Sequence, residues 1–188
     1  MNFQSGFSNQ LSNTFKNDLF KYRHDIFVEK LGWNLAVNSS YEKDQFDHAD
    51  TLYVVAKDSS DNITGCARLL PTTQPYLLKD VFPELLNGLL PPVSEDIWEI
   101  SRLTNQLVSK KNIGPSIGNY GQISELSFIE LLKEVIKVAK AQGAKKLISV
   151  SPVGIERLLR KAGVNVHRVG PAKIIDGHAI LACWIEIT

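Results

Sequence analysis

Charged side chains sit inside segments of this chain whose other residues are apolar, and a buried ion dictates its own company. Arg23 lies between Phe20 and Phe27 in a stretch with helical spacing, and Trp33 follows just beyond it. Arg68 closes GCAR in a strand-like run, and Glu99 and Arg102 belong to WEISRL. A buried guanidinium needs an anionic partner and a buried carboxylate needs donors, because either ion alone is strongly destabilising. A fold that buries these segments must therefore bring the ions together. Asp44 and Asp47 of KDQFD supply further carboxylates. Three arginines, two aspartates and one glutamate then satisfy one another, either as a structural network or as the lining of a site for a zwitterionic ligand. On a regular strand Glu99 and Arg102 point to opposite faces.

The remaining composition narrows the class. With 188 residues, 44% of them hydrophobic and 22% charged, the whole chain reads as a single domain that needs no metal or disulfide staple. A net charge of +1 argues against a dedicated nucleic-acid binder. No apolar run approaches the roughly 20 residues that span a bilayer, so no membrane insertion is expected. The start, MNFQSGFSNQ, lacks a signal-peptide pattern. Cys66 and Cys183 form no CxxC, which fits a reduced, cytoplasmic protein. His24, His48, His167 and His178 share no ligand-like spacing, so no metal site is expected. The charge is unevenly spread: residues 1–103 are net acidic and 104–188 net basic, a surface suited to an acidic partner.

Periodicity predicts a helix over 13–31, a long ordered loop over 34–50, and strands over 51–57 and 63–70. A short helix falls near 77–87 among prolines, and a strand near 97–103. Residues 109–123 read as a loop, and a long helix over 124–142 stops at Gly143. KKLISVS is a buried strand, VGIERLLRKAG a helix, VNVHRVG a strand, and 179–187 the last strand. The order indicates an α/β or α+β domain with a mixed sheet.

Arg23, Phe27, Trp33, Asp44, Asp47, Arg68, Glu99 and Arg102, in that order and spacing, resemble the signature of the acyl-homoserine-lactone synthases, the LuxI-type autoinducer synthases. YRHDIFVEKLGW, DQFDHADTLYVVA, ITGCARLLPTTQPYLL and SPVGIERLLRKAG carry the likeness along almost the whole chain. One departure is Leu103, where the family often has Phe; segment 105–123 matches least.

The resemblance implies a GNAT-like three-layer fold, its mixed central sheet splayed in the middle and flanked by helices. It also implies two substrates, S-adenosylmethionine and an acyl chain carried as a thioester on acyl carrier protein. No cofactor is implied, since S-adenosylmethionine is consumed. Arg23, Phe27, Trp33 and Arg68 then bind S-adenosylmethionine, the rings through cation–π attraction to its sulfonium. Asp44 and Asp47 receive its ammonium, and Arg68 and Arg102 organise the carboxylates. Glu99 is the candidate base, and a backbone N–H near 103–105 the candidate oxyanion donor. Ser149 and Leu103 shape the acyl pocket, Ser149 as a hydroxyl for a 3-oxo or 3-hydroxy chain. Lys145, Lys146, Arg157, Arg160 and Lys161 form the carrier-docking face. The competing readings are an acetyl-CoA-dependent GNAT acetyltransferase and a non-catalytic binder on the same fold. The chain has no Arg/Gln-x-x-Gly-x-Gly/Ala loop before 124–142, which disfavours CoA.

Overall fold

The computed structural model describes residues 1–35, 40–105 and 125–187. The predicted loop 109–123 and residues 36–39 of the predicted loop 34–50 lie outside the described residues. The chain divides into two compact units, one of Met1–Ala67 with Arg102–Leu131 and one of Arg68–Ser101 with Leu132–Thr188.

The first unit opens with β1 (Asn2–Phe7), followed by α1 (Asn13–Arg23) and a π-helical segment, His24–Lys30. Strand β2 (Leu52–Lys57) and the first half of β3 (Ile63–Pro71) complete its sheet. β1 runs antiparallel to β2, from Asn2 opposite Lys57 to Phe7 opposite Leu52. The pattern of the sequence hides β1, because its residues are mostly polar or half-exposed on a sheet edge. Ser12 caps α1, its hydroxyl accepting from Phe15 N–H at 3.2 Å. Phe15, Leu19, Phe20, Ile26 and Phe27 bury one face of this helical stretch against Tyr53, Val55 and Cys66.

The predicted helix 13–31 is therefore not uniform. From His24 onward the turns widen, and Leu31 N–H reaches back to the Ile26 carbonyl at 2.9 Å. A π-helical turn holds an extra residue, which rotates the side chains after it relative to an α-helix. Gly32, at φ 68°, ends the segment in the left-handed region, and Trp33 N–H then bonds the Phe27 carbonyl at 2.9 Å.

The second unit holds the other half of β3, α2 (Leu77–Asp80), a 3-10 turn (Pro83–Leu86) and most of β4 (Ile97–Thr104). Pro83 splits the predicted helix 77–87 into these two short pieces. Helix α3 (Glu125–Ala141) gives its first residues to the first unit and the rest to the second. β5 (Lys146–Pro152), α4 (Val153–Lys161), β6 (Val166–Arg168), β7 (Lys173–Ile175) and β8 (His178–Glu186) follow. β4 and β5 are parallel, Ile100 opposite Ser149. β8 runs antiparallel to β5, with Cys183 opposite Ser149. β6 and β7 both pair antiparallel with β8, so the sheet is mixed. β7 escapes the reading by periodicity, although Asp176 and Gly177, at φ 49° and 78°, make the two-residue hairpin turn that Asp-Gly signals.

Candidate active site

In the first unit the expected ions meet. Arg23, 1% exposed, leaves α1 and donates from Nη1 and Nη2 to the two Asp47 oxygens at 2.7 and 3.0 Å. Its Nε donates to Glu42 Oε2 at 2.6 Å. Arg102 reaches the same Glu42, from Nε to Oε2 at 3.1 Å and from Nη2 to Oε1 at 2.9 Å. Arg102 Nη2 also donates to Asp44 Oδ2 at 2.9 Å. Asp47 further accepts from the Tyr53 hydroxyl at 2.8 Å and from Asp44 N–H at 2.9 Å. Arg23 thus spends its donors on Glu42 and Asp47, and it is Arg102 that holds Asp44.

Glu42 joins both guanidinium groups, yet it stands outside the eight signature positions. Burial pushes its carboxyl up, but the charges and hydrogen bonds of Arg102 and Arg23 prevail and hold it at about 2. Arg23, although burial opposes its charge, is raised above its ordinary value by Asp47 and Glu42. Two guanidinium groups face three carboxylates, so these five groups carry one net negative charge. Glu42 and Asp47 side chains are 1% and 0% exposed, while Asp44 is 23% exposed. Asp44 is the carboxylate that solvent reaches.

The aromatic pair sits beside these ions. Phe27 and Trp33 rings lie 4.9 Å apart and tilted by 31°. Arg102 Cζ lies 5.6 Å from the Phe27 centroid. Phe27 is buried, and Trp33 is the partly exposed ring of the two. The π-helical turn and Gly32 together put Trp33 on Phe27.

Arg102 owes its aim to its backbone. Its φ of 53° places a bulky residue of a strand in the left-handed region, at a cost of about 1–3 kcal/mol. Strict alternation along β4 fails at this residue. The Cys66 thiol donates to the Arg102 carbonyl at 3.3 Å, and the three side-chain hydrogen bonds and ring contact of Arg102 offset the strain. Leu103, next in the strand, is half-buried.

The other expected residues belong to the second unit. Arg68, 0% exposed, donates from Nε to Ser101 Oγ at 3.0 Å. Glu99 is equally buried, and its two oxygens accept from Leu77 and Leu78 N–H at 2.9 and 2.7 Å, tying β4 to the start of α2. Ser149 is 6% exposed in β5. Burial raises the thiol of Cys183, its cross-strand partner, to about 11.

Of the expected docking cations, Lys145 lies 2.7 Å from Asp96 and Lys146 lies 3.2 Å from Glu186. Arg160 donates from Nε and Nη2 to Glu156, which also takes Arg168. Arg157 and Lys161 are exposed on α4. Among the described residues no cluster of His, Cys, Asp and Glu could hold a metal ion, and no helix is long and apolar enough to cross a membrane.

Residues 8–188 match the autoinducer synthase family. An acyl-homoserine-lactone synthase of Acinetobacter nosocomialis is 49% identical over the whole of both chains. The structure of TofI in a ternary complex with an inhibitor and MTA is 37% identical, with a TM-score of 0.85 over 100% of this chain and 92% of that one. MesI, a CoA-dependent acyl-homoserine lactone synthase, is 25% identical, with a TM-score of 0.81 over 100% and 89%. A Lactobacillus plantarum protein described as an N-acetyltransferase shares the fold alone, at 13% identity and a TM-score of 0.61 over 99% of each chain. The fold is the GNAT-like one expected, built on an open, mixed sheet.

Proposed function

The chain belongs to the autoinducer synthase family and is an acyl-homoserine-lactone synthase; from that premise we propose that it transfers an acyl chain from acyl carrier protein to S-adenosylmethionine. The amine of S-adenosylmethionine attacks the thioester carbonyl, forming an amide and releasing the carrier thiol. The methionyl carboxylate then attacks the carbon that bears the sulfonium and breaks its bond to sulfur, which closes the lactone and frees methylthioadenosine.

One observation carries this reading. Beside the stacked Phe27–Trp33 pair lies an ionic cluster with an excess carboxylate, and Asp44 is its accessible member. S-adenosylmethionine brings an ammonium for Asp44 and a sulfonium for the Trp33 face. Arg23 acts here as a positioning residue, fixing Glu42 and Asp47, and Arg102 fixes Asp44. Asp47, fully buried, supports Asp44 by accepting its backbone N–H.

The ammonium must lose a proton before it attacks, and Glu99 is our candidate acceptor, through water. The Leu77 and Leu78 N–H groups hold its carboxyl in place. A backbone N–H near residues 103–105, just past the left-handed Arg102, is our candidate for the developing oxyanion. We assign Arg68, which donates to Ser101 of β4, to S-adenosylmethionine binding. Leu103 and Ser149 are assigned to the acyl pocket. The carrier, being acidic, meets Lys145, Lys146, Arg157, Arg160 and Lys161. Arg157 and Lys161 offer exposed cationic side chains on α4 to that partner.

Incubating the chain with S-adenosylmethionine and either acylated carrier protein or acyl-CoA tests the reading. Mass spectrometry should find methylthioadenosine and an acyl-homoserine lactone in equal amounts, with the carrier-bound donor preferred. Preference for acyl-CoA would reassign the donor, and absence of both products would refute the reaction.

A further inference from the structure

The side of β3 turned away from the ionic cluster carries a polar group that the reaction above leaves unused. Cys66 packs in the apolar cluster with Phe27, so Gly65 beside it faces the opposite side of the strand. There is no room for a side chain at Gly65. A Cβ there would fall 2.8 Å from Asn105 Oδ1, 3.1 Å from Leu131 Cδ2 and 3.1 Å from the Thr104 carbonyl oxygen. The end of β4 crosses close over this glycine, and the Asn105 side chain rests on it next to Leu131 of α3.

Asn105 is 6% exposed, and its Nδ2 has no hydrogen-bond partner among the described residues. A buried amide donor without an acceptor is destabilising, and each such group in a folded protein calls for an explanation. The charges of S-adenosylmethionine are matched by the ions on the α1 side. The other substrate brings neutral carbonyl oxygens, in its thioester and in the amides of its pantetheine arm, and a neutral donor suits them.

We propose that Asn105 is a binding residue for the acyl donor, its Nδ2 donating to a carbonyl oxygen of the thioester-bearing arm. This rests on the acyltransferase reading above. Gly65 is its positioning partner, because only a residue without Cβ leaves the amide its seat.

The test is Asn105→Ala, followed by thermal unfolding and by steady-state kinetics with acyl thioesters of pantetheine and of N-acetylcysteamine. An amide that serves only a ligand gives the free protein nothing, so the Tm should hold or rise. KM for acyl-pantetheine should increase about tenfold, while KM for S-adenosylmethionine stays unchanged. Loss confined to the pantetheine donor puts the acceptor on the arm's outer amide, which N-acetylcysteamine lacks, and equal loss with both donors puts it at the thioester or the inner amide that both share. An unchanged thioester KM overturns the assignment. So does a lowered Tm with both KM values rising together, or a chain that no longer folds, since each marks a structural asparagine. If wild type releases no methylthioadenosine with carrier-bound, CoA-bound or pantetheine donors, the functional reading itself fails; normal wild-type turnover without the KM split refutes Asn105 alone.

Discussion

Replacing Glu42 by Gln keeps the side-chain volume but removes the charge that both arginines share. Glu42 Oε2 and Oε1 accept from Arg23 at 2.6 Å and from Arg102 at 3.1 and 2.9 Å. Glutamine offers one oxygen and sets an NH2 donor against a guanidinium. The side chain is 1% exposed, so water does not repair the loss. Breaking a buried ion pair costs about 3–5 kcal/mol. The proton equilibrium gives a second route to the size. Holding the carboxyl at about 2 instead of 4.5 corresponds to about 3 kcal/mol, at about 1.4 kcal/mol per pKa unit. Both routes consume a large share of the roughly 5–15 kcal/mol that keeps a domain folded. Urea unfolding followed by fluorescence reads the loss as a lower midpoint at constant slope. A loss below about 1 kcal/mol would refute the view that Glu42 is the joint of the cluster.

The same carboxyl sets an acid limit. Its folded-state value is depressed, so its contribution is complete above pH 4.5 and should be lost as the pH falls through about 2. Unfolding free energy measured across that window should drop more steeply for wild type than for Glu42→Gln, and parallel curves would contradict the assignment. Raising ionic strength should raise KM for acylated carrier protein more than KM for S-adenosylmethionine, and equal responses in the two titrations would count against the basic docking face. Ser149→Ala should reduce the preference for 3-oxo or 3-hydroxy acyl donors over unsubstituted ones, by about 1–3 kcal/mol in kcat/KM if the hydroxyl bonds the C3 oxygen. An unaltered ratio in competition assays would leave Ser149 a packing residue.

The meeting of Arg23, Asp44, Asp47 and Arg102 was legible in the sequence because ions inside apolar segments have few ways to be satisfied. Glu42 was not, for a physical reason. Three arginines already balanced Asp44, Asp47 and Glu99 on paper, so nothing demanded a further carboxylate from a polar loop. In the fold Glu42 nonetheless accepts from both Arg23 and Arg102. Strand alternation likewise says nothing of Arg102, whose left-handed φ depends on contacts made elsewhere in the chain. The elements with strong apolar period, β2, β3, β5 and α3, fall within about two residues of their predicted bounds. The polar edge strand β1 has no such period. In one dimension Lys145, Lys146 and Arg160 have no visible partner, and Asp96, Glu186 and Glu156 reach them only once the chain folds.

Asp44 carries the central claim, that the excess carboxylate of the cluster receives the ammonium of S-adenosylmethionine. Calorimetric titration of S-adenosylmethionine into wild type and into Asp44→Asn tests it most directly. A lost charge-assisted hydrogen bond of about 1.5–3 kcal/mol should weaken binding by roughly ten- to a hundredfold, with Asp44→Asn still folded because the group is partly exposed. Equal dissociation constants for the two proteins would contradict the account.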